Sequence, residues 1–403
     1  MHWGLLAVCL LLGGLAGAAA LADRLSSANP EAALTIAPWH AGARVAQANA
    51  LLQEDTARPL EAAEKLRRAL QADPLVPQAL LLLGQALDAA GDPAGAFASW
   101  DWAARVALRD GAAQAVLLER DLKGGRVDAA LQRLDILLRG DPQNGATLLQ
   151  KLSVLLSDRA FLEALTRQME VAPPWRESML KELARRAPQL DPVQALYWRL
   201  QRGTAPPSED EMRPLLVRLV AEGRFEEAYI FWLESGRRDQ RLKGEFLYNA
   251  RLLAPPSNLL FDWTIDPTPG ASVQIERTGA RRTLAVDFFG SRLGFQNVSQ
   301  WLLLPPGDYV FSGLELADGV VSDRGVRWRM ACAGDLAGEL ATTPSLTGTV
   351  AWREFSVAFS VPPTCRAQRL VLEVPARVVL ERVISGRVSF ANLSLRAQSA
   401  APP

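Results

Sequence analysis

The sequence predicts a multidomain chain, an all-α helical-repeat solenoid followed by an all-β jelly-roll sandwich. Two observations carry this. The phrases GDPAGAFASW from Gly91 and GRVDAALQRL from Gly125 state one pattern twice, 34 residues apart. Beyond APPSNLLFDW the composition turns to short alternating apolar runs divided by Gly, Pro and Asp, the mark of antiparallel strands. A third feature, an uncharged apolar run near the N-terminus, bears on where the chain resides.

That run, WGLLAVCLLLGGLAGAAALA, covers Trp3 to Ala22. About 20 apolar residues span a bilayer as a helix. The expectation is an uncleaved signal anchor at 1–22. The alternative is a cleaved signal peptide: ALA at Ala20–Ala22 suits the cleavage site, but no Lys or Arg precedes the run. Val8 before Cys9 does not suit a lipoprotein site, so Cys9 reads as a thiol in a membrane helix. Residues 23–42 form a linker with a lead-in helix. The bulk of the chain is then expected in the periplasm of a bacterium, anchored to the inner membrane or, if cleaved, soluble.

The repeats follow at 43–170. Steps of 34 residues from Ala96 land on Ala62, Ala130 and Ala164. Leu66, Trp100 and Leu134 recur four residues later, and Pro74 and Pro142 mark equivalent breaks. Small residues such as Gly84 and the alanines let helix backbones cross closely, and large ones such as Leu83 and Trp100 fill the gap to the next unit. Asp73-Pro74 and Asp141-Pro142 end helices because proline lacks the amide donor and restricts its predecessor. Leu80, Leu83, Gly84, Leu87, Ala96, Trp100 and Ala103 together resemble the tetratricopeptide repeat. That resemblance implies pairs of antiparallel helices stacked into a groove that binds a protein partner. From 171 to 253 the register slips but amphipathic helices continue, and Gly223, Ala228 and Trp232 repeat the offsets; the region reads as degenerate helical repeats.

The sandwich is placed at 257–398 with about eight strands. TLAVDFF sets Leu284, Val286 and Phe288 on one face. VRWRMAC sets Val326, Trp328, Met330 and Cys332 inward and Arg327 and Arg329 outward. QRLVLEV aligns Leu370, Leu372 and Val374. SVQIE, SQWLLL, YVFSGLEL, EFSVAFSV and ISGRVSFANLSL complete the set. Cys332 and Cys365, in an exported domain, read as a disulfide worth about 3–4 kcal/mol; two buried free thiols are the alternative.

LLPPGDYVFSG together with the terminal ISGRVSFANLSL resembles carbohydrate-binding jelly rolls of the galactose-binding type. The whole layout resembles membrane-anchored bacterial tetratricopeptide proteins of exopolysaccharide clusters. What this implies is glycan-related work.

Composition narrows the chemistry. The 403 residues carry 44 Lys plus Arg and 44 Asp plus Glu, with no run of one sign. Nucleic acid is excluded as a partner, since phosphate binding needs a concentrated basic patch. The two histidines, His2 and His40, both precede the repeats, which leaves no basis for a Ser-His-Asp, Cys-His or His-rich zinc site. No cofactor or metal is expected. Asp318 and Asp323 in ADGVVSDRG lack EF-hand spacing and read as a polar loop.

A sugar site needs aromatics for the ring and polar groups for the hydroxyls. The candidates are Trp263 and Trp301 with Arg327, Arg329, Glu373 and Asp287, set against Trp263 as an inter-domain plug and the same charges as cross-strand ion pairs on a solvated sheet. The expected function is a non-enzymatic adaptor in surface or exopolysaccharide assembly or export. Two alternatives stand beside it: a polysaccharide hydrolase using Glu315 and Glu373, and a scaffold whose sandwich has no ligand.

Overall fold

The computed structural model describes residues 2–54, 58–107, 111–140, 152–236, 245–279, 281–334 and 338–398; side chains are described from residue 14 onward, except at 77 and 278. It divides into two compact units, Met1–Trp175 and Arg176–Pro403.

The first unit is helical: α1 His2–Leu25, α2 Pro30–Ile36, α3 Ala41–Gln53, α4 Pro59–Ala72, α5 Pro77–Ala89, α6 Pro93–Val106, α7 Gly111–Lys123, α8 Val127–Gly140 and, after a 3-10 turn Val154–Ser157, α9 Arg159–Glu170. Local chemistry sets the starts. Proline occupies the first turn of α4, α5 and α6, where its missing amide has no partner to lose. Asp92 and Asp158 cap α6 and α9 by accepting from the Gly95 and Phe161 amides, each at 2.9 Å. From α3 to α8 each helix packs on the next, and α3 also reaches α5, which is stacking of repeats.

The register alanines sit at the crossings: Ala62, Ala96 and Ala130 are fully buried and Ala164 is 4% exposed. The duplicated phrase is a duplicated turn. Gly91 and Gly125 both take a positive φ, +83° and +68°. In each, the next amide returns to the helix, Asp92 to Leu87 O and Arg126 to Asp121 O, both at 2.8 Å. Pro74 follows the C-terminal cap of α4, as its chemistry requires. Asp141 and Pro142 lie outside the described residues. Of the leader, the side chains of 1–13, Cys9 included, also lie outside; among the described residues no helix is long and apolar enough to cross a membrane.

The second unit opens with four helices, α10 Arg176–Arg186, α11 Leu190–Arg202, α12 Glu209–Ala221 and α13 Phe225–Glu234. Ser208 and Glu211 form a reciprocal capping box at the start of α12. Glu211 also receives the Arg176 guanidinium at 3.0 and 3.2 Å, with both side chains under 10% exposed. The Tyr197 hydroxyl, buried between the Leu180 and Glu211 carbonyls, is pushed above its ordinary range by burial. The turn at Gly223 repeats the one at Gly91: Arg224 N donates to Leu219 O at 2.8 Å.

The rest is a sandwich of ten strands among the described residues: β1 Thr264–Ile265, β2 Ala271–Thr278, β3 Arg281–Arg292, β4 Val298–Leu302, β5 Gly307–Val321, β6 Arg327–Cys332, β7 Glu339–Thr342, β8 Gly348–Val361, β9 Gln368–Glu373 and β10 Val383–Ala397. The eight expected strands are present, joined by the short β1 and β7. One sheet runs β1-β4-β9-β6-β7 and the other β2-β3-β10-β5-β8, with antiparallel pairing throughout. Alternation fills the core from both: Leu284, Val286 and Phe390 meet Trp328, Leu370 and Leu372. Cys332 and Cys365 are joined in a disulfide, with Cα atoms 5.5 Å apart.

Candidate functional site

The two sheets treat their outer faces differently. On the first, Glu373 lies between Arg327 and Arg329, because β9 pairs with β6 in a register that sets Arg327 opposite Glu373 and Arg329 opposite Val371. Arg327 Nε reaches Oε1 at 3.1 Å and Arg329 Nε reaches Oε2 at 2.8 Å. The Glu373 side chain is 6% exposed, so both carboxylate oxygens are committed inside the protein. Trp301, on β4, stacks on Phe225 from the first turn of α13 at 6.0 Å. Beside it Arg213 of α12 pairs with Asp266 at 2.8 Å, and Arg366 pairs with Glu226 at 2.7 Å. Arg369, opposite Trp301, donates to Ser299 Oγ at 3.2 Å; burial and then the neighbouring Arg329 push it below its ordinary value. This face is a helix-to-sheet seam.

Trp263 is not a surface residue. It is fully buried in the core, 5.7 Å from Trp328, and its Nε1 donates to Asn249 O at 3.1 Å. The pair weighed for hydrolysis is also separated: Glu373 is on β9 of one sheet and Glu315 on β5 of the other. Glu315 shares its face with Phe390, inside the sandwich, where Arg353 Nε reaches Oε1 at 2.8 Å and Oε2 has no partner. Burial pushes its carboxyl up, against the pull of Arg353.

Asp287, grouped with Arg327, Arg329 and Glu373 by alternation, stands on β3 of the other sheet and so apart from them. Its surroundings are the open face. Ser272 and Gln274 of β2, Asp287 and Phe289 of β3, Asp318 of β5, and Gly386 and Arg387 of β10 line a shallow depression of about 500 Å³. Register builds it: Arg387 lies opposite Asp287 on one side and Asp318 on the other. Its guanidinium bonds to Glu276 and lies 3.5 Å from Asp287 Oδ1. The Glu276 hydrogen bond holds Arg387 above its ordinary value despite partial burial, and Asp287 and Asp318 add to it. One cation thus faces three carboxylates.

Gly386 makes the floor. It adopts φ +100°, and a Cβ there would lie 2.3 Å from Gly319 O and 2.7 Å from Val320 Cα, both backbone atoms of β5. No side chain fits, so the strands slip register between Ser385 and Arg387 and leave the hollow. Phe289 is 64% exposed at the rim. The two consecutive phenylalanines of TLAVDFF are its sequence signal: Phe288 points into the core, so the pleat turns Phe289 out. Alternation could not find Gln274, Asp318 and Arg387, which meet only through strand order. The arrangement offers an aromatic edge, carboxylates, an amide and a hydroxyl on a rigid shelf. It has donors and acceptors for hydroxyl groups and an apolar platform for a ring.

No protein-family model matches the chain, and no curated protein matches it. Among solved structures it is similar to a carbohydrate-binding module, CBM4, at 14% identity and a TM-score of 0.29, over 38% of this chain and 99% of that one. It is similar to a double mutant of MamA from RS-1 at 15% identity and a TM-score of 0.28, over 51% of this chain and 97% of that one. It is also similar to the PilF protein of Pseudomonas aeruginosa at 15% identity and a TM-score of 0.28, over 50% of this chain and 91% of that one. With scores this low, none of the three likenesses carries an argument about what this chain binds.

Proposed function

We propose that the protein is a non-enzymatic, membrane-tethered adaptor of the periplasm, whose helical repeats hold a protein partner and whose sandwich holds a glycan on the open sheet. The process it serves is assembly or export of a surface polysaccharide. The observation that carries the glycan part is the shelf at Gln274, Asp287, Phe289, Asp318 and Arg387, a polar hollow beside an exposed ring. The tether rests on the uncharged run from Trp3 to Ala22, and the periplasm on that run together with the Cys332–Cys365 bridge. The protein partner rests on the stacked helix pairs.

Glycan-array binding by the intact chain tests the reading. Asp318→Asn and Phe289→Ala, both on the shelf, are expected to weaken any captured glycan about tenfold, equivalent to about 1.4 kcal/mol each. Arg329→Gln, in the helix-to-sheet seam, is expected to leave the captured set unchanged. Capture that survives both shelf changes, or no capture at all, overturns the glycan part and leaves the scaffold reading.

A further inference from the structure

One end of the open sheet carries aliphatic side chains in water that neither the shelf nor the core uses. Between β9 and β10 the chain makes a 3-10 turn, Val379–Arg382. Val378, Val379 and Leu380 are 54%, 57% and 69% exposed, Val383 beside them is 43% exposed, and Val321 at the end of β5 is 70% exposed. They adjoin, because Ser385 of β10 pairs with Val321 and Val383 with Arg292. The turn is held in place from within. Glu381 accepts from the Arg377 amide at 2.8 Å and from the Arg324 guanidinium, and Leu293 N donates to Arg382 O at 2.9 Å. The Arg324 bond and the Arg377 amide hold the Glu381 carboxyl down to about 2, so the clasp persists at neutral pH.

The charges around this tip are unbalanced. Arg292, Arg324, Arg377 and Arg382 surround it against Glu381 and Asp323. Glu381 is taken by Arg324, and among the described residues Arg292, Arg377 and Arg382 make no ion pair. We propose that this tip is a second membrane contact, which seats its valines and leucine at the headgroup boundary of an anionic bilayer while the free arginines meet lipid phosphates.

The composition favours lipid over protein. Protein interfaces are anchored by aromatic side chains in desolvated pockets; residues 377–383 contain no aromatic, and the nearest exposed ring, Phe289 opposite Ser385, belongs to the shelf. A projecting aliphatic turn ringed by unpaired arginines is complementary to a surface that is apolar beneath and anionic above. Each arginine near such a surface is worth about fivefold in docking, so three contribute about 100-fold. The contact is independent of the glycan shelf, since none of Val378, Val379, Leu380, Arg292, Arg377 or Arg382 lines it.

The test uses the full chain with Cys9→Ala and Leu380→Cys. Cys332 and Cys365 are bonded to each other, which leaves one thiol for an environment-sensitive nitrobenzoxadiazole label. The chain is reconstituted into phosphatidylcholine vesicles with and without about one third phosphatidylglycerol, a fraction that gives a negative surface potential. The expected result is brighter, blue-shifted emission in the anionic vesicles only. It should be lost at high salt and in Arg292→Glu/Arg377→Glu/Arg382→Glu, while a label at the exposed Glu354→Cys on β8 stays unchanged. Emission at position 380 that is the same in both vesicles overturns the proposal. So does emission that rises with protein concentration alone, which would make the tip a contact between chains.

Discussion

A methyl group at Gly84 is expected to loosen the repeats, although glycine is the poorer helix former. Gly84 lies inside α5, where alanine would gain about 1 kcal/mol by propensity. A Cβ there would stand 2.1 Å from Trp100 Nε1 and 2.3 Å from Cδ1, far inside the roughly 3.5–4.0 Å of ordinary carbon contact. The indole cannot retreat cheaply. It is 5% exposed, its Nε1 donates to Leu81 O at 3.1 Å, and the Arg120 guanidinium lies 5.9 Å from its centre.

Overpacking of this kind costs about 1–3 kcal/mol, and a displaced hydrogen bond about 1 more. Set against the propensity gain, Gly84→Ala should destabilise by about 1–3 kcal/mol. With Trp100→Ala the clash vanishes, and the same change should stabilise by up to about 1 kcal/mol, a reversal of sign within one double-mutant cycle. Hydrogen-exchange mass spectrometry on the intact chain reads this locally. Peptides from α5 and α6 should exchange about 5- to 150-fold faster in Gly84→Ala and more slowly when alanine is added to Trp100→Ala. Protection by Gly84→Ala in both backgrounds would refute the argument that close helix crossing selects the glycine.

Three other outcomes follow from buried polar groups and the disulfide. Glu211→Gln leaves Arg176 buried without its counter-ion and should cost about 3–5 kcal/mol, read as lost exchange protection in α10 and α12. Reduction of Cys332–Cys365 reopens a 33-residue separation and should remove about 4 kcal/mol, seen as a sandwich melting about 8–16 °C lower in reductant. Glu315 has its pKa raised in the folded state, so its contribution is complete below its ordinary 4.5 and is lost as pH rises through the folded value. Glu315→Gln should therefore gain stability relative to the parent as pH rises from 4 to 7, measured by urea midpoints at each pH; a gain on acidification instead would contradict the burial argument.

The local pattern was enough for the elements and their partners in repetition. Ala62, Ala96 and Ala130 recur because every helix pair meets the same crossing, and a 34-residue interval is visible in one dimension. Leu284, Val286 and Phe288 point inward because the pleat alternates side chains, and that too is local. The paired cysteines needed only their number and position.

Strand order belongs to the tertiary structure. Alternation placed Asp287 on an outer face with Arg327, Arg329 and Glu373, but could not say that two outer faces exist and that β3 and β9 lie in different sheets. It gave no sign that Phe225 would cover Trp301, or that Trp263, read as either a plug between domains or a sugar platform, would pack on Trp328 within the sandwich core. The open shelf joins β2, β3, β5 and β10, strands more than 100 residues apart at their extremes, through the backbone approach of Gly386 to Gly319. A residue's partner in a sheet is chosen by which strands close the core, a many-body packing outcome that no short window of sequence contains.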